Sequence, residues 1–285
     1  GAFGTNGKFT WSTGSGVGIT EKMRLDSAGN LGIGLSSPAF KLDVGGTSSV
    51  SDRKIGINGF PVIYLPDQTA YSGSIFYGTN AINLSNSGGG FNGAANTALG
   101  INAMDSITTG FFNTAFGNWA LHNTTSGDEN TAIGLNALKF NTTGEFNTAV
   151  GTTALFRNTT GQTNTAIGNQ ALRENTTGLQ NTAVGYRPLQ TNTTGYFNTA
   201  VAYRALEDNT TGYGNTGIGL HALSNNTTGY YNSAIGMYSM DAITTGRGNT
   251  GLGYYAGNSV SQKADAINSV ALGSYSYTTA DNQLR

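Results

Sequence analysis

Residues 164–180 read NTAIGNQALRENTTGLQ, and the repetition of this 17-residue unit decides the fold. Ten times within residues 96–253 the chain reads Asn, then Thr or Ser, a small residue, an apolar residue and usually Gly. The asparagines that begin these units follow one another every 17 residues without insertion or deletion: Asn96, Asn113, Asn130, Asn147, Asn164, Asn181, Asn198, Asn215, Asn232 and Asn249. A strict period of this size is the signature of a solenoid in which each repeat forms one turn, or rung.

The consensus of a rung is N-T-A-Φ-G-x-x-A-L-x-x-N-T-T-G-x-x, where Φ is a branched or aromatic apolar residue. Positions are counted from the first asparagine, and equal positions in successive rungs form a column. Short apolar runs broken by Gly and by Asn-Thr-Thr-Gly are typical of strands and turns, and Gly and Asn supply the positive φ that tight corners need. The sequence predicts two short strands and two turns per rung, stacked in parallel roughly 4.8 Å apart into a rod about 45–50 Å long.

The apolar columns predict the interior and an oligomer. The Φ column, at the fourth position, and the leucine column, at the ninth, are expected to fill the small interior of the rung. Alanine is common at the third and eighth positions, so the first strand, whose side chains alternate between faces, is apolar on both of them. One face packs inside and the other needs a partner, for which other copies of the chain are the nearest source. The sequence therefore predicts a closed homo-oligomer, a homotrimer about a shared axis.

The asparagine at the first position is predicted to stack its side-chain amide on the equivalent amides of neighbouring rungs, as identical residues do in cross-β stacks. The Asn-Thr-Thr triplets also match the N-glycosylation sequon. We expect these triplets to build turns rather than to carry glycans.

Composition narrows the classes of function. Charged residues make up only 10% of the chain and the net charge is -1, whereas nucleic-acid binders carry a basic face, so we expect no nucleic-acid partner. No run of 18 apolar residues exists, so we expect no membrane insertion. The chain has no cysteine, and its 43 glycines are about twice the usual share.

Four segments follow from the pattern. Residues 1–45 alternate short strands with turns and have too little core to fold alone, so we expect an intertwined β segment formed with other copies. Residues 46–95 read as a β connector region, residues 96–257 as the β-roll with 17-residue rungs, and residues 258–285 as a neck-like crossover with a terminal rung. Asn268 lies 19 residues after Asn249, at the asparagine position of the repeat, and the last rung is expected at Ala266 to Ser274.

The rungs, and especially NSVALG at 268–273, resemble the head repeats of trimeric autotransporter adhesins. The Asn-Thr-Thr-Gly variant, with the flanks MRLDSAGNLGIG at 23–34 and SPAFKLDV at 37–44, is similar to bacteriophage tail fibres and related mosaic adhesive trimers of bacterial surfaces. The resemblance implies an all-β, homotrimeric parallel β-roll in an extracellular setting, on a virion tail fibre or a bacterial cell surface. In that group, a stretch like ADNQ at 280–283 leads into a self-cleaving chaperone domain, which this sequence does not contain. An open solenoid end would be a bare strand edge that invites aggregation, so we expect further protein beyond Arg285.

Three cationic side chains stand at the seventh position of successive rungs: Arg187, Arg204 and His221. The rung consensus also breaks beside them, where Pro188 replaces Ala and Ala202 replaces Gly. A column of cations suits an anionic sugar or phosphate. The alternative is a solubilising stripe that pairs with the acidic residues Glu174, Glu207 and Asp208.

Aromatic residues follow the glycine of the fifteenth position in several rungs. We single out Tyr196, Phe197, Tyr213, Tyr230 and Tyr231 as candidate ligand-binding residues. Flat rings on a rigid surface suit glycan stacking and contacts with proteins, and the alternative is packing between rungs or between copies.

The sequence predicts a non-enzymatic trimeric fibre protein that attaches to a host or prey cell through a surface glycan or protein receptor. It predicts no catalytic residue, no cofactor and no metal site. One alternative is a passive shaft whose recognition domain lies elsewhere in a longer protein. A second is a polysaccharide depolymerase, for which the acids Asp128, Glu129 and Glu145 on neighbouring rungs are the candidates.

Overall fold

The computed structural model of the chain describes residues 2–3, 9–13, 20–28, 31–33, 42–44, 54–57, 60–64, 75–77, 95–258 and 264–284. Residues 78–94 of the predicted connector region (46–95) and residues 259–263 of the predicted crossover (258–285) lie outside these residues. The chain divides into two compact units, Gly1–Asp67 and Gln68–Arg285.

The described residues of the first unit form short strands: β1 Ala2–Phe3, β2 Phe9–Thr13, β3 Thr20–Leu25, β4 Leu31–Ile33, β5 Leu42–Val44, β6 Lys54–Ile57 and β7 Phe60–Tyr64. Strands β1 to β5 form one sheet in chain order, antiparallel except for the parallel pair β4–β5, and β6 pairs with β7 in antiparallel orientation. The intertwining of residues 1–45 with other copies stays a prediction.

The second unit is a parallel β-solenoid, as the 17-residue period predicted. Its strands in the described residues are β8 Ile75–Tyr77, β9 Thr97–Leu99, β10 Thr114–Phe116, β11 Thr131–Ile133, β12 Thr148–Val150, β13 Thr165–Ile167, β14 Thr182–Val184, β15 Thr199–Val201, β16 Thr216–Ile218, β17 Ser233–Ile235, β18 Thr250–Leu252 and β19 Val270–Leu272. Each strand pairs in parallel with the next, and equal rung positions face each other, as Thr165 faces Thr182. The described residues contain no helix that could cross a membrane.

The described part of each rung contains one strand, so the prediction of two strands was wrong. After the strand, positive φ recurs at the seventh, ninth and seventeenth positions, as in Arg187 (59°), Leu189 (50°) and Phe197 (58°). These left-handed residues turn the chain too sharply for an extended segment. Bonds between rungs nevertheless continue, since the N–H of Leu189 donates to the carbonyl of Ala205 at 3.0 Å.

The Φ column lies outside, and this corrects the predicted interior. The alanines of the third and eighth positions and the leucine column are fully buried, whereas the more exposed Φ side chains, from Ile218 at 37% to Phe116 at 54%, face outward. The space behind the strand is narrow: a Cβ added to Gly217, which occupies the third position of its rung, would lie 3.2 Å from Cγ of Leu206. Only a methyl group fits against the leucine column, so the larger Φ side chain takes the opposite face.

Two columns of buried asparagine stabilise the stack, and the first confirms the predicted amide ladder. At the first position, Asn181 donates from Nδ2 to Oδ1 of Asn164 at 3.1 Å and to the carbonyl of Gly195 at 2.8 Å. A second ladder, at the twelfth position, runs from Asn141 to Asn226. Its asparagines belong to the sequons, and their buried, bonded amides support the turn-building interpretation of the Asn-Thr-Thr triplets.

The last strand corrects the start of the final rung. Thr250 pairs with Val270, and the N–H of Ser269, not of Asn268, donates to Oδ1 of Asn249 at 3.0 Å. The rung that begins at Asn249 is thus 20 residues long. Ser269 is buried at the asparagine position, and Asn268 is exposed with φ of 51°.

Candidate functional site

The cationic residues predicted at the seventh position share one column, and their left-handed backbone is part of the rung turn. The positive φ values of Arg187, Arg204 and His221 lie between 54° and 59°. His221 stacks on Tyr238 with ring centroids 5.3 Å apart, and Tyr238 stacks on Tyr255 at 4.8 Å. The column is therefore a stack of side chains along the rod.

Both arginines of this column interact with one carboxylate. Arg204 Nε lies 2.5 Å from Oε2 of Glu207, and Arg187 Nη1 lies 4.0 Å from Oε1 of the same residue. The hydrogen bond to Glu207 raises the pKa of Arg204 above its usual value. Arg187 also donates from Nε to Oε1 of Gln170 at 2.8 Å. This pairing supports the alternative of a compensated stripe over an open anion site.

Of the three acidic residues predicted to pair with this column, only one does so. Glu207 pairs as expected, but Glu174 binds two arginines of other columns, Arg157 at 2.7 Å and Arg173 at 2.6 Å. Asp208 is exposed as a whole residue, but partial desolvation of its carboxyl, followed by the negative charge of Glu207, raises its pKa.

Three of the predicted aromatic residues form a stack at the sixteenth position, called the tyrosine column below. The rings of Tyr196 and Tyr213 are 4.9 Å apart and nearly parallel, and those of Tyr213 and Tyr230 are 4.8 Å apart. Desolvation and the neighbouring phenols raise the pKa of Tyr213. Arg247 extends the column, since its guanidinium lies 5.8 Å from the centre of the Tyr230 ring. Because neighbouring rings cover both faces of Tyr213, this tyrosine offers its edge and hydroxyl rather than a flat face.

The other two predicted aromatic residues project from the neighbouring, seventeenth position. Phe197 meets Tyr196 edge to face at 5.3 Å, and Tyr231 meets Tyr213 in the same way at 5.2 Å. The Tyr231 ring lies over Gly214, where an added Cβ would be 2.7 Å from Cδ1 of the tyrosine. Phe197 and Tyr231 are largely exposed, so the five predicted aromatic residues form one ridge with an apolar outer surface.

The two breaks in the consensus each have a structural cost. Pro188 lacks the N–H that other rungs use for a long turn bond, such as that from Ala171 to the carbonyl of Gly168 at 3.4 Å. Ala202 has φ of 110°, a strained value for a residue with a side chain, where the neighbouring Gly185 and Gly219 have 134° and 132°.

We expect Ala202→Gly to stabilise the protein by about 1 kcal/mol, because relief of strain outweighs the entropy cost of the added glycine. The measurement is the thermal unfolding midpoint followed by circular dichroism. Ala200→Gly is the matched control: Ala200 is fully buried and has no positive φ, so this variant should lose stability. Equal losses in both variants would contradict strain at Ala202.

A groove at the eleventh and thirteenth positions was missed by sequence reasoning. It has a volume of about 410 Å³ and is lined by Asn123, Phe140, Thr142, Arg157, Thr159 and Thr176. The available signal was the charge of the tenth and eleventh columns, which is basic around residues 139–173 and acidic around residues 207–241.

The acids considered for depolymerase chemistry belong to rung turns. The N–H of Phe111 donates to Oδ1 of Asp128 at 2.9 Å, and the N–H of Glu129 donates to the carbonyl of Phe111 at 3.0 Å. Burial raises the pKa of Asp128, and the bond from Phe111 lowers it by less. Within the described residues, no group of three or more histidine, cysteine or acidic side chains could hold a metal ion. Comparisons with known protein families, with curated proteins and with solved structures found no match to the chain.

Proposed function

We propose that the chain is a non-enzymatic, homotrimeric fibre protein that attaches to a host or prey cell surface through a glycan or protein receptor. The observation that carries the proposal is the Φ column, a line of outward-facing apolar side chains on successive paired strands of the solenoid. Exposed apolar faces of this extent mark interaction surfaces. The resemblance to tail fibres and adhesive trimers gives the class of function.

The repeat of the Φ column favours a second copy of this chain as its partner. Ile133, Val150 and Ile167 stand on directly paired strands, so their spacing along the rod is that of the sheet, roughly 4.8 Å. A partner that covers the whole column must present apolar groups at the same spacing over ten rungs. Another copy does so because it carries the same Φ column. A three-fold arrangement closes the contact and leaves no uncovered copy.

Attachment then rests on rigidity and multivalency. The solenoid holds the aromatic ridge on a stiff scaffold, and a trimer presents three such ridges at once, which multiplies weak affinities. The stacking of Tyr196, Tyr213 and Tyr230 on one another favours a second candidate, a passive shaft in which these rings stabilise the rod.

We expect the double variant Ile167→Glu and Ile235→Glu to be monomeric and to lose cell attachment by about 100-fold or more, because two carboxylates per copy would be buried in the contact and the avidity of three copies disappears. Light scattering of the purified chain measures the oligomer, and binding to whole cells measures attachment. The double variant Thr228→Glu and Thr245→Glu places the same two charges on exposed turn positions away from the Φ column and should change neither.

Three results separate the candidates. A monomeric wild-type chain in dilute buffer would overturn the fibre proposal. A trimer that attaches to no host or prey cell would instead support the passive shaft. Cleavage of a capsule polysaccharide by the purified trimer would contradict the non-enzymatic assignment.

A further inference from the structure

The tenth and eleventh columns carry charge of opposite sign in two halves of the rod. Lys139, Arg157 and Arg173 lie in three successive rungs, and Glu207, Asp208 and Asp241 lie in later rungs. Within the basic half, defined here as residues 139–174, Glu174 is the one acidic residue of these two columns, and it contacts both arginines; Asp105 lies in the tenth column of an earlier rung. The ammonium of Lys139 lies 4.4 Å from the ring centre of Trp119. Three cations and one carboxylate in these columns leave an excess of two positive charges over residues 139–174.

The groove of about 410 Å³ lies in this basic half. Arg157 borders it with a side chain that is 59% exposed, and its contact with Glu174 uses Nε. A guanidinium has five N–H donors in a fork that matches a carboxylate, so donors remain for a second anion.

The other walls of the groove suit the body of a sugar. Phe140 is held by an edge-to-face contact with Phe156 at 5.0 Å and supplies an apolar surface for sugar C–H groups. The hydroxyls of Thr142, Thr159 and Thr176 each donate to a backbone carbonyl of the next rung at 3.0 Å, which fixes their orientation and leaves their lone pairs free to accept bonds from sugar hydroxyls. These hydroxyls recur once per rung, close to the length of one pyranose unit in an extended polysaccharide.

We propose that this groove binds a short stretch of acidic polysaccharide, with a sugar carboxylate on Arg157 and the pyranose ring against Phe140. The inference rests on the proposed function, because it assigns the class of surface ligand that the fibre recognises. A long polyanion such as nucleic acid fits less well, since the same columns turn acidic at Glu207 and Asp208. The groove lies on different columns from the Φ side chains that the trimer would cover.

The test is calorimetric titration of the full chain with tri-galacturonate and with its methyl ester, which keeps the sugar but removes the charge. The wild-type chain should bind the acid and bind the ester at least tenfold more weakly. Arg157→Gln should lower the affinity for the acid by about ten- to 100-fold, as expected for loss of a charge-assisted bond. Phe140→Ser should weaken the binding of the acid and of the ester by similar factors.

Arg187→Gln is the matched control, because Arg187 lies outside the groove on the seventh column; this variant should bind as the wild type does. All variants are first compared by thermal unfolding, and only those that retain the wild-type spectrum are titrated. Equal binding of acid and ester, unchanged binding by Arg157→Gln, loss of binding by Arg187→Gln, or tighter binding of single-stranded DNA would each overturn the inference.

Failure of the inference and failure of the fibre proposal give different results. If the trimer attaches to cells and Arg157→Gln attaches equally well, the acidic-sugar site is wrong and the fibre stands. If the chain is monomeric but binds tri-galacturonate through Arg157, the groove stands and the fibre proposal fails.

Discussion

Replacing Gly195 with alanine is expected to destabilise the solenoid by about 3 kcal/mol or more. Gly195 has no positive φ, so its conformation is open to alanine. The obstacle is space: an added Cβ would collide with Oδ1 of Asn192 and with the carbonyl of Gly212, and would lie 2.9 Å from Nδ2 of Asn209. Two of these neighbours belong to the second asparagine ladder and the third is a backbone carbonyl. The clash with the added methyl group can therefore be relieved only if the rungs move apart.

The control is another glycine replaced by alanine, Gly217→Ala. Gly217 occupies the third position, where most rungs carry alanine, and its added Cβ would have nearest neighbours at 3.0–3.3 Å. This variant should be neutral or slightly stabilising. Urea unfolding followed by circular dichroism compares the two midpoints. Similar midpoints for both variants would contradict the close approach of rungs at Gly195.

Asn181→Ala is expected to cost about 2–4 kcal/mol, because it leaves buried backbone groups without partners. The side chain of Asn181 donates to the carbonyl of Gly195 at 2.8 Å and accepts the N–H of Asn198 at 3.0 Å. Alanine supplies neither group, and the site is fully enclosed between rungs. The free energy of unfolding by denaturant is the measurement.

Asn225→Ala removes an amide of the same kind from an exposed position and should change stability by less than about 1 kcal/mol. A loss of similar size in both variants would mean that burial of the first asparagine column adds nothing. Amide hydrogen exchange gives an independent check, since the N–H of Asn198 should lose protection in Asn181→Ala alone.

The period of the sequence was sufficient to predict a parallel β-solenoid and its register, but not the single strand of each rung. Equal residues at intervals of 17 positions must face one another in a stack, so the ladder of Asn164 and Asn181 followed from counting. The 20-residue final rung escaped the same reasoning, because Asn268 matches the consensus letter whereas Ser269 fills the structural position. Buried hydrogen bonding, not residue type, decides which one continues the ladder.

The direction of the Φ side chains could not be read from the pattern. A strand such as Ala166–Ile167 is apolar on both faces, and the choice between them depends on the depth of the space behind it. That depth is set by Leu172 and its equivalents, which have a left-handed backbone. Leucine rarely adopts this conformation, so the residue type does not predict it. The sequence correctly predicted that the strand has an apolar outer face. It placed the Φ side chains inside, whereas they form that outer face and the alanines are buried.

The sequence predicted which candidate site residues share a column, but not which side chains contact one another. Arg187 and Arg204 lie on one column as expected, yet their shared pairing with Glu207 depends on side-chain reach between rungs. The groove at Phe140 and Arg157 was missed because its walls come from two columns, the eleventh and the thirteenth, whose spatial neighbourhood depends on the turn geometry.

Both asparagine ladders run in one direction. In each, Nδ2 of the later rung donates to Oδ1 of the earlier rung, as in Asn198 to Asn181 and Asn209 to Asn192. Every completed rung therefore offers a ready acceptor to the segment that follows it. A ribosome delivers the chain in that same order, so the rod can grow vectorially during synthesis, each new coil docking on a finished template while the remaining polypeptide is still being made.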